Sequence, residues 1–367
     1  MRKKILFFLF SLSGGGAERT VINIINNLDK EKFEVLLILG TDQNNDYIDL
    51  LDKDIKIKFL NCSKLRFCAT KLSKYIRVEK PDLLFSTING NNIVLLIAKI
   101  LSFRKVPAII REANNRTQSR SVTRVNKTLT RVLYNRYSER IISLSNGVKF
   151  DLVRNFRVKE SKIEVIYNPV EFDKIQELSM DKVKDFRKNG EEKLLIAVGR
   201  LVEQKDFKTL LKAFSTISQQ INSRLIILGK GPKEEELKKQ SNDLGIGEKV
   251  VFLGFKNNPY KYMRLADAFV LSSKWEGFGH VIVEAMATGT SVISTDCESG
   301  PREIILEDKY GILVPVGDDR QLSIETIRLL KDDKTKENMI AQSYKRAQDF
   351  NVKKIIKEYE KAFMDVK

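Results

Sequence analysis

The 367-residue sequence predicts an α/β protein built from two doubly wound, Rossmann-like domains in series. Three observations carry that expectation. Short apolar runs recur without polar alternation and read as strands buried on both faces, which is the pattern of parallel sheet. Amphipathic segments of helical period separate them, as a parallel connection requires. The alternation breaks at a charged stretch, 173–190, and then starts again. With 42% hydrophobic and 31% charged residues, the chain has core material for two domains of ordinary size.

The first domain, 1–170, opens with an apolar strand at 4–10 and a helix at 17–28, joined by Gly14-Gly15-Gly16. Strands at 34–39 and 55–60, a helix at 63–78, a strand at 82–87, an apolar helix at 91–101 and a strand at 108–111 follow. A long basic helix over 119–138 precedes strands at 140–144 and 162–167, which flank a short helix. Met1-Arg2-Lys3-Lys4 and the apolar run behind it imitate a secretion signal. That run is short, however, and leads into the glycine loop and an amphipathic segment that cleavage would waste, so a first buried strand is expected. No stretch reaches the ~18 uninterrupted apolar residues of a spanning helix, so any membrane contact is peripheral.

Asn168-Pro169-Val170 closes this half, and 171–190 reads as a linker because its mixed charges lack strand periodicity. The second domain, 191–348, repeats the alternation. Its strands are expected at 193–198, 224–228, 250–253, 268–271, 291–295 and 312–314, and its helices at 206–220, 233–244, 259–266, 281–287 and 321–330. The tail, 349–367, holds an amphipathic helix that could cross back to the first domain. Doubly wound sheets bind ligands at the carboxyl ends of their strands, so the expected site is a cleft across which two such edges face each other.

Charge narrows the ligand. The net charge is +17, and residues 1–170 hold 31 Lys and Arg against 16 Asp and Glu, while the remainder holds 34 against 32. A one-sided positive field points to a phosphate-bearing partner, whether nucleic acid, anionic lipid or a pyrophosphate ligand. Arg120, Arg124, Lys127 and Arg131 recur at helical spacing with no acid between Glu112 and Glu139. A merely solvated face would repel itself, so a membrane or phosphate role is favoured. Cys62, Cys68 and Cys297 have neither metal-ligand spacing nor an even count, which implies a reducing compartment without a disulfide framework.

The chemistry is expected around Glu276 and Glu284, eight positions apart across a glycine-rich turn between a buried strand and a short helix. The free N–H groups of that helix's first turn, near Phe278, Gly279 and His280, favour an anion. Glu284 lies among Val281, Ile282, Val283 and Ala285, and a half-buried carboxylate wants a partner such as a ligand hydroxyl. His280 is the only histidine and invites acid/base work, though its side chain could face away. Gly199 and Arg200 end the first strand of the second domain, with Lys205 at the mouth of the next helix, and two such cations suit a diphosphate. Gly229-Lys230-Gly231-Pro232 repeats the situation one strand later, although it is also ordinary turn chemistry. Gly15 and Gly16 would let backbone approach a phosphate or sugar, or simply make a tight turn.

Taken together, these motifs resemble the retaining GT-B glycosyltransferases of family 4, in their bacterial surface-polysaccharide branch. The residues that carry the resemblance are Gly199-Arg200 with Lys205, Gly229 to Pro232, Phe252 to Phe255, Ser272-Ser273 with Glu276 to Gly279, Glu284 to Ala287, and Cys297 to Ile304. The resemblance implies a nucleotide-sugar donor, UDP-sugar favoured, held mostly by the second domain. Arg200 and Lys205 would hold the diphosphate, Glu276 the sugar hydroxyls, Glu284 the ribose, and Gly229 and Phe255 would lie near the base. Glu276, Lys205 and Arg200 would be the catalytic set, with no cofactor and no metal, and the leaving phosphate oxygen would take the acceptor's proton.

Many relatives carry a histidine near the sugar where this chain has Arg111-Glu112-Ala113-Asn114. The subset with that pattern implies a polyprenyl-diphosphate-linked or other surface-glycan acceptor and work on the cytoplasmic face of the membrane. Two other readings stay open. A two-domain sugar-nucleotide 2-epimerase would need no acceptor. A nucleic-acid-binding protein would want aromatics interleaved with the cations of the basic helix, where only Tyr134 and Tyr137 stand.

Overall fold

The computed structural model describes residues 2–13, 15–118, 122–306 and 309–366, and forms two compact units, 1–169 with 352–367 and 170–351. The sheet of the first unit contains β1 (Lys3–Leu9), β2 (Phe33–Leu39), β3 (Lys56–Phe59), β4 (Leu83–Thr87), β5 (Ala108–Glu112), β6 (Arg140–Ser143) and β7 (Ile163–Val165). All pair in parallel, in the order β3-β2-β1-β4-β5-β6-β7. Its helices are α1 (Gly16–Asn27), α2 (Cys68–Glu79), α3 (Asn89–Ser102), α4 (Arg124–Tyr137) and α5 (Asn146–Phe156).

The apolar strands serve two cores. Leu6 and Phe8 of β1 join the core under α2, α3, α4 and α5, while Ile5, Phe7 and Leu9 join the core on the opposite face. Successive side chains of a strand point to opposite faces, so a strand covered on both sides must be apolar throughout.

The second unit begins with α6 (Phe172–Ser179). Its sheet contains β8 (Lys193–Val198), β9 (Ser223–Leu228), β10 (Val250–Gly254), β11 (Ala268–Leu271), β12 (Ser291–Thr295) and β13 (Ile312–Val314). These strands are also parallel, in the order β10-β9-β8-β11-β12-β13. The helices are α7 (Phe207–Gln220), α8 (Glu234–Asp243), α9 (Tyr260–Leu265), α10 (His280–Ala287), α11 (Pro301–Ile305), α12 (Asp319–Lys331) and α13 (Asp333–Ala347). Strand order reverses between β1 and β4 in one sheet and between β8 and β11 in the other. These reversals are the switch points at which such sheets open a crevice for ligands.

The last helix, α14 (Val352–Asp365), packs with the first unit. Its Tyr359 and Phe363 meet Phe85 edge to face, with ring centroids 6.5 and 5.3 Å away. Lys3 ends it by donating to the carbonyls of Phe363 at 2.7 Å and Val366 at 2.6 Å. Burying two such rings contributes roughly 1.5–3 kcal/mol each.

Three expectations change. The segment 171–190 is not only a linker, since α6 occupies its first half and buries Phe172, Ile175 and Ser179 in the second unit. The basic helix starts at Arg124, capped by the Thr123 hydroxyl, which accepts from the N–H of Asn126 at 3.2 Å. Arg120 lies outside the described residues. α11 and α13 were not expected.

The Arg-Glu pair at the end of β5 is buried and engaged. Arg111 donates to the Tyr359 hydroxyl at 3.1 Å, the Thr87 hydroxyl at 3.0 Å and the Asn168 side-chain oxygen. Its fork thereby ties α14 and the exit of the first unit to β5. Glu112 accepts from the Tyr134 hydroxyl and, at 3.1 Å, from Asn92, while burial pushes its carboxyl above the usual range.

A carboxyl with a raised folded-state pKa stabilises the fold fully below its unfolded value of about 4.3, and that contribution is lost as pH rises through the folded value. Glu112→Gln should therefore match or exceed the parent in unfolding free energy at neutral pH and remove this part of the pH slope. Glu112→Ala, which strips Tyr134 of its acceptor, should lose about 1–3 kcal/mol. Denaturant titrations at several pH values measure both. A Gln variant less stable than the parent at neutral pH would contradict the account.

Candidate active site

The site is assembled by the two loops that leave the switch point of the second sheet. The loop after β8 carries Gly199 and Arg200 and makes a short 3-10 turn, Glu203–Lys205, before α7. The loop after β11 carries Ser272 to Gly279 and ends in α10. Backbone and side chains staple the loops together. Lys274 N–H donates to the Gln204 carbonyl at 2.8 Å, Gln204 Nε2 to the Trp275 carbonyl at 2.9 Å, and the Ser272 hydroxyl to the Lys205 carbonyl at 2.9 Å. Glu203 adds ion pairs to Lys233, at 2.6 Å, and to Lys274, and these two lysines hold its carboxyl down at about 2.

Across this staple Lys205 Nζ meets Glu276 Oε1 at 2.5 Å, and both side chains are largely buried. The Ser273 hydroxyl donates to the same oxygen at 2.6 Å. Ser273 is itself held by its carbonyl, which accepts from the Thr295 hydroxyl at 2.6 Å and the Cys297 thiol at 3.1 Å. Burial, with the Glu276 charge adding to it, pushes that thiol up to about 12, so Cys297 serves as a packed donor and not as a nucleophile.

Glycine makes the approach possible. A Cβ on Gly199 would stand 3.2 Å from Lys205 Cε, so the bare position leaves room for the lysine stem to cross the end of β8. A Cβ on Gly229 would lie 1.9 Å from the Gly199 carbonyl oxygen, so the loops after β8 and β9 can touch only if that residue has none. Gly229 N–H donates to the Gly254 carbonyl at 2.8 Å, which brings the exposed Phe255 to the same strand edge.

The remaining expected residues divide. Arg200 is exposed and forms no ion pair among the described residues, so its guanidinium is available to an anion. Phe278 is buried, its ring 5.4 Å from that of Phe350, and it can offer only backbone. Gly279, at φ +91°, caps α10, and His280 is half-buried with its ring 6.2 Å from Phe278. Glu284 is buried and accepts from the Tyr260 hydroxyl at 3.3 Å, so the structure supplies one partner that the sequence did not reveal.

Gly15 and Gly16 open α1 in the first unit, where the Glu18 carboxylate lies against Gly15 and already gives that helix end a negative charge. Arg124 and Arg131 are exposed on α4, whereas Lys127 is half-buried with its ammonium 5.9 Å from the Phe156 ring. Sequence reasoning missed Gln204 and Ser273. The Ser273-x-x-Glu276 spacing was visible, but its meaning depends on a turn that folds the hydroxyl back onto the carboxylate.

Two doubly wound units, with a cation and a carboxylate locked over the switch point of the second, define a GT-B-type glycosyltransferase, and known proteins agree. Residues 180–346 match the family model described as glycosyl transferases group 1, and residues 14–174 match glycosyltransferase family 4. A Campylobacter jejuni protein named N-acetylgalactosamine-N,N'-diacetylbacillosaminyl-diphospho-undecaprenol 4-alpha-N-acetylgalactosaminyltransferase is 32% identical, over 97% of this chain and 98% of its own. A second protein of that organism, named for an alpha-1,4-N-acetyl-D-galactosaminyltransferase acting on a GalNAc-containing diNAcBac-PP-undecaprenol, is 27% identical over 99% of both chains. In fold, the chain is similar to Anabaena Alr3699/HepE, solved in complex with UDP, with a TM-score of 0.84, 20% identity and 100% of both chains covered. The chain belongs to glycosyltransferase family 4 and has the GT-B fold of two Rossmann-like units.

Removing one partner of a buried ion pair leaves the other uncompensated, at a cost of roughly 3–5 kcal/mol. Lys205→Ala should therefore be less stable than Lys205→Ala combined with Glu276→Gln, with both inactive. Ser273→Ala should lower kcat about tenfold, while donor KM moves less than about threefold and Ser273→Thr restores much of the loss. Equal stability of the two lysine variants, or wild-type kcat in Ser273→Ala, would remove the roles given to the pair and to the serine.

Proposed function

We propose that this glycosyltransferase moves a hexose or N-acetylhexosamine from a nucleotide sugar, UDP-sugar favoured, to a polyprenyl-diphosphate-linked or other surface-glycan acceptor. On this reading it works on the inner face of the cytoplasmic membrane. The observation that carries the proposal is the buried Lys205–Glu276 pair, fixed by Ser273 over the switch point, with the unpaired Arg200 in the same loop. Before donor arrives, Glu276 neutralises Lys205. A diphosphate offers the ammonium a second anion and frees Glu276 to grip sugar hydroxyls.

The bond between the anomeric carbon and the phosphate oxygen then breaks, its electron pair staying on the oxygen. Lys205, Arg200 and the backbone N–H groups at the start of α10 stabilise the developing charge, which makes a metal ion unnecessary. The acceptor hydroxyl attacks from the face the diphosphate leaves, and its proton passes to the departing phosphate oxygen. The product therefore retains configuration, and no side chain needs to serve as base. Glu284 grips the ribose, and Gly229 and Phe255 border the base. The polyprenyl-diphosphate class of acceptor is supported by the names of the two Campylobacter relatives and by the basic face of the first unit.

A panel of sugar nucleotides assayed by mass for release of free UDP or GDP tests this directly. Release should require a polyprenyl-diphosphate-linked or other surface-glycan acceptor and should favour a UDP-sugar. Conversion of the donor to an epimer without acceptor would sink the transferase chemistry. In calorimetry with UDP, Glu284→Ala should weaken binding about tenfold or more, as expected for a lost hydrogen bond to a charged group. Unchanged affinity would take the ribose from Glu284.

A further inference from the structure

Phe255 opens the loop 255–259 between β10 and α9, and its ring is 58% exposed. Gly254, at φ +69°, turns the chain out of the sheet just before it. Lys256 and Asn258 anchor this loop to the segment that follows α6. Lys256 Nζ donates to Asp185 Oδ2 at 2.5 Å, and Asn258 Nδ2 donates to the Leu178 carbonyl at 2.8 Å and to Asp181 at 2.9 Å. With its other oxygen Asp185 accepts, at 2.5 Å, from the hydroxyl of Tyr262, a buried residue of α9.

The anchoring segment is fixed in its turn. α6 is buried at its start, and Gln176 donates to the carbonyl of Ala287 at the end of α10. Further on, the Arg224 guanidinium lies over the Phe186 ring, 5.3 Å from its centroid, and Lys188 pairs with Asp267 at 2.8 Å. The Lys256 ammonium, with the Tyr262 hydroxyl, holds the Asp185 carboxyl down at about 2, so the carboxylate stays charged across the neutral range.

Asp185 and Lys256 are both partly exposed, and such a pair adds little to folding. Its effect is local. A short loop with an exposed ring samples many positions, and each tie to a fixed segment removes some of them. A contact ring fixed in advance costs less entropy on binding, and its place decides which ligand fits against it.

We propose that Asp185 is a positioning residue for nucleobase recognition. Through Lys256 it holds the loop in the place from which Phe255 meets the base, and so it sets both the grip on the base and the choice among bases. The inference rests on the reading that Phe255 borders the base of the donor, and it adds residues that need touch no part of that donor.

Calorimetry on the full chain with UDP, GDP and inorganic pyrophosphate separates the base from the phosphates. Asp185→Ala should weaken UDP binding about fivefold, shrink the ratio of UDP to GDP affinity by a similar factor, and leave pyrophosphate binding within about twofold. Asp185→Glu should recover much of the loss. Lys256→Met leaves Tyr262 its acceptor, so it should reproduce the loss at an unchanged melting temperature and add little when combined with Asp185→Ala. Phe255→Ala should weaken UDP more than any of these and again spare pyrophosphate.

Parent-like UDP affinity in both Asp185→Ala and Lys256→Met, beside a weakened Phe255→Ala, would overturn the role of Asp185 alone. So would equal losses of UDP and pyrophosphate affinity, because the disturbance would then reach beyond the base. Unchanged UDP affinity in Phe255→Ala, or a parent chain that binds neither nucleotide, would take the base from this loop and the inference with it.

Discussion

The site depends on one contact, the buried ion pair between Lys205 and Glu276, because it joins the two strands at which the second sheet changes direction. In a parallel doubly wound sheet the loops after β8 and β11 diverge to opposite faces, and the crevice between them is the natural place for a ligand. Left alone, two such loops would be free to drift. Here Gln204, Ser272 and Lys274 bond one loop to the other, and the lysine and glutamate are held face to face at the top. A pair with this little exposure gains from a low local dielectric and costs much to desolvate, so it tolerates a new anion better than it tolerates the loss of either partner.

The first unit solves a different problem. At the end of β5 stand Arg111 and Glu112, and both are turned inward to build the unit. The guanidinium satisfies its donors on Thr87, Asn168 and Tyr359, and the carboxyl is raised by burial and bonded to Tyr134. Neither is available to a substrate in this arrangement. The buried Lys205–Glu276 pair lies in the second unit, while the first carries the basic helix α4.

Much of this was legible in the sequence, for a physical reason. Strands such as 83–87 are apolar on both faces because helices cover both, and such runs stand out from their charged surroundings. Glu276, Lys205 and Gly199 were legible because they follow those strands. What escaped depends on three-dimensional return. In α6, Phe172, Ile175 and Ser179 form a buried stripe that the surrounding charges hid. In α13, only Met339, Ser343 and Ala347 are buried, too few to mark a helix of 15 residues. Ser273 acts through a turn, and the Tyr260 bond to Glu284 spans residues far apart in sequence.

The most direct test of the account is amide hydrogen exchange on the intact chain with and without a saturating UDP-sugar. The account predicts slowed exchange in peptides covering 199–205 and 273–284, reproduced by UDP at the first segment and reduced in Lys205→Ala. Saturated binding that leaves both segments unchanged, with protection confined to other parts of the chain, would contradict the claim that the switch point of the second sheet holds the donor.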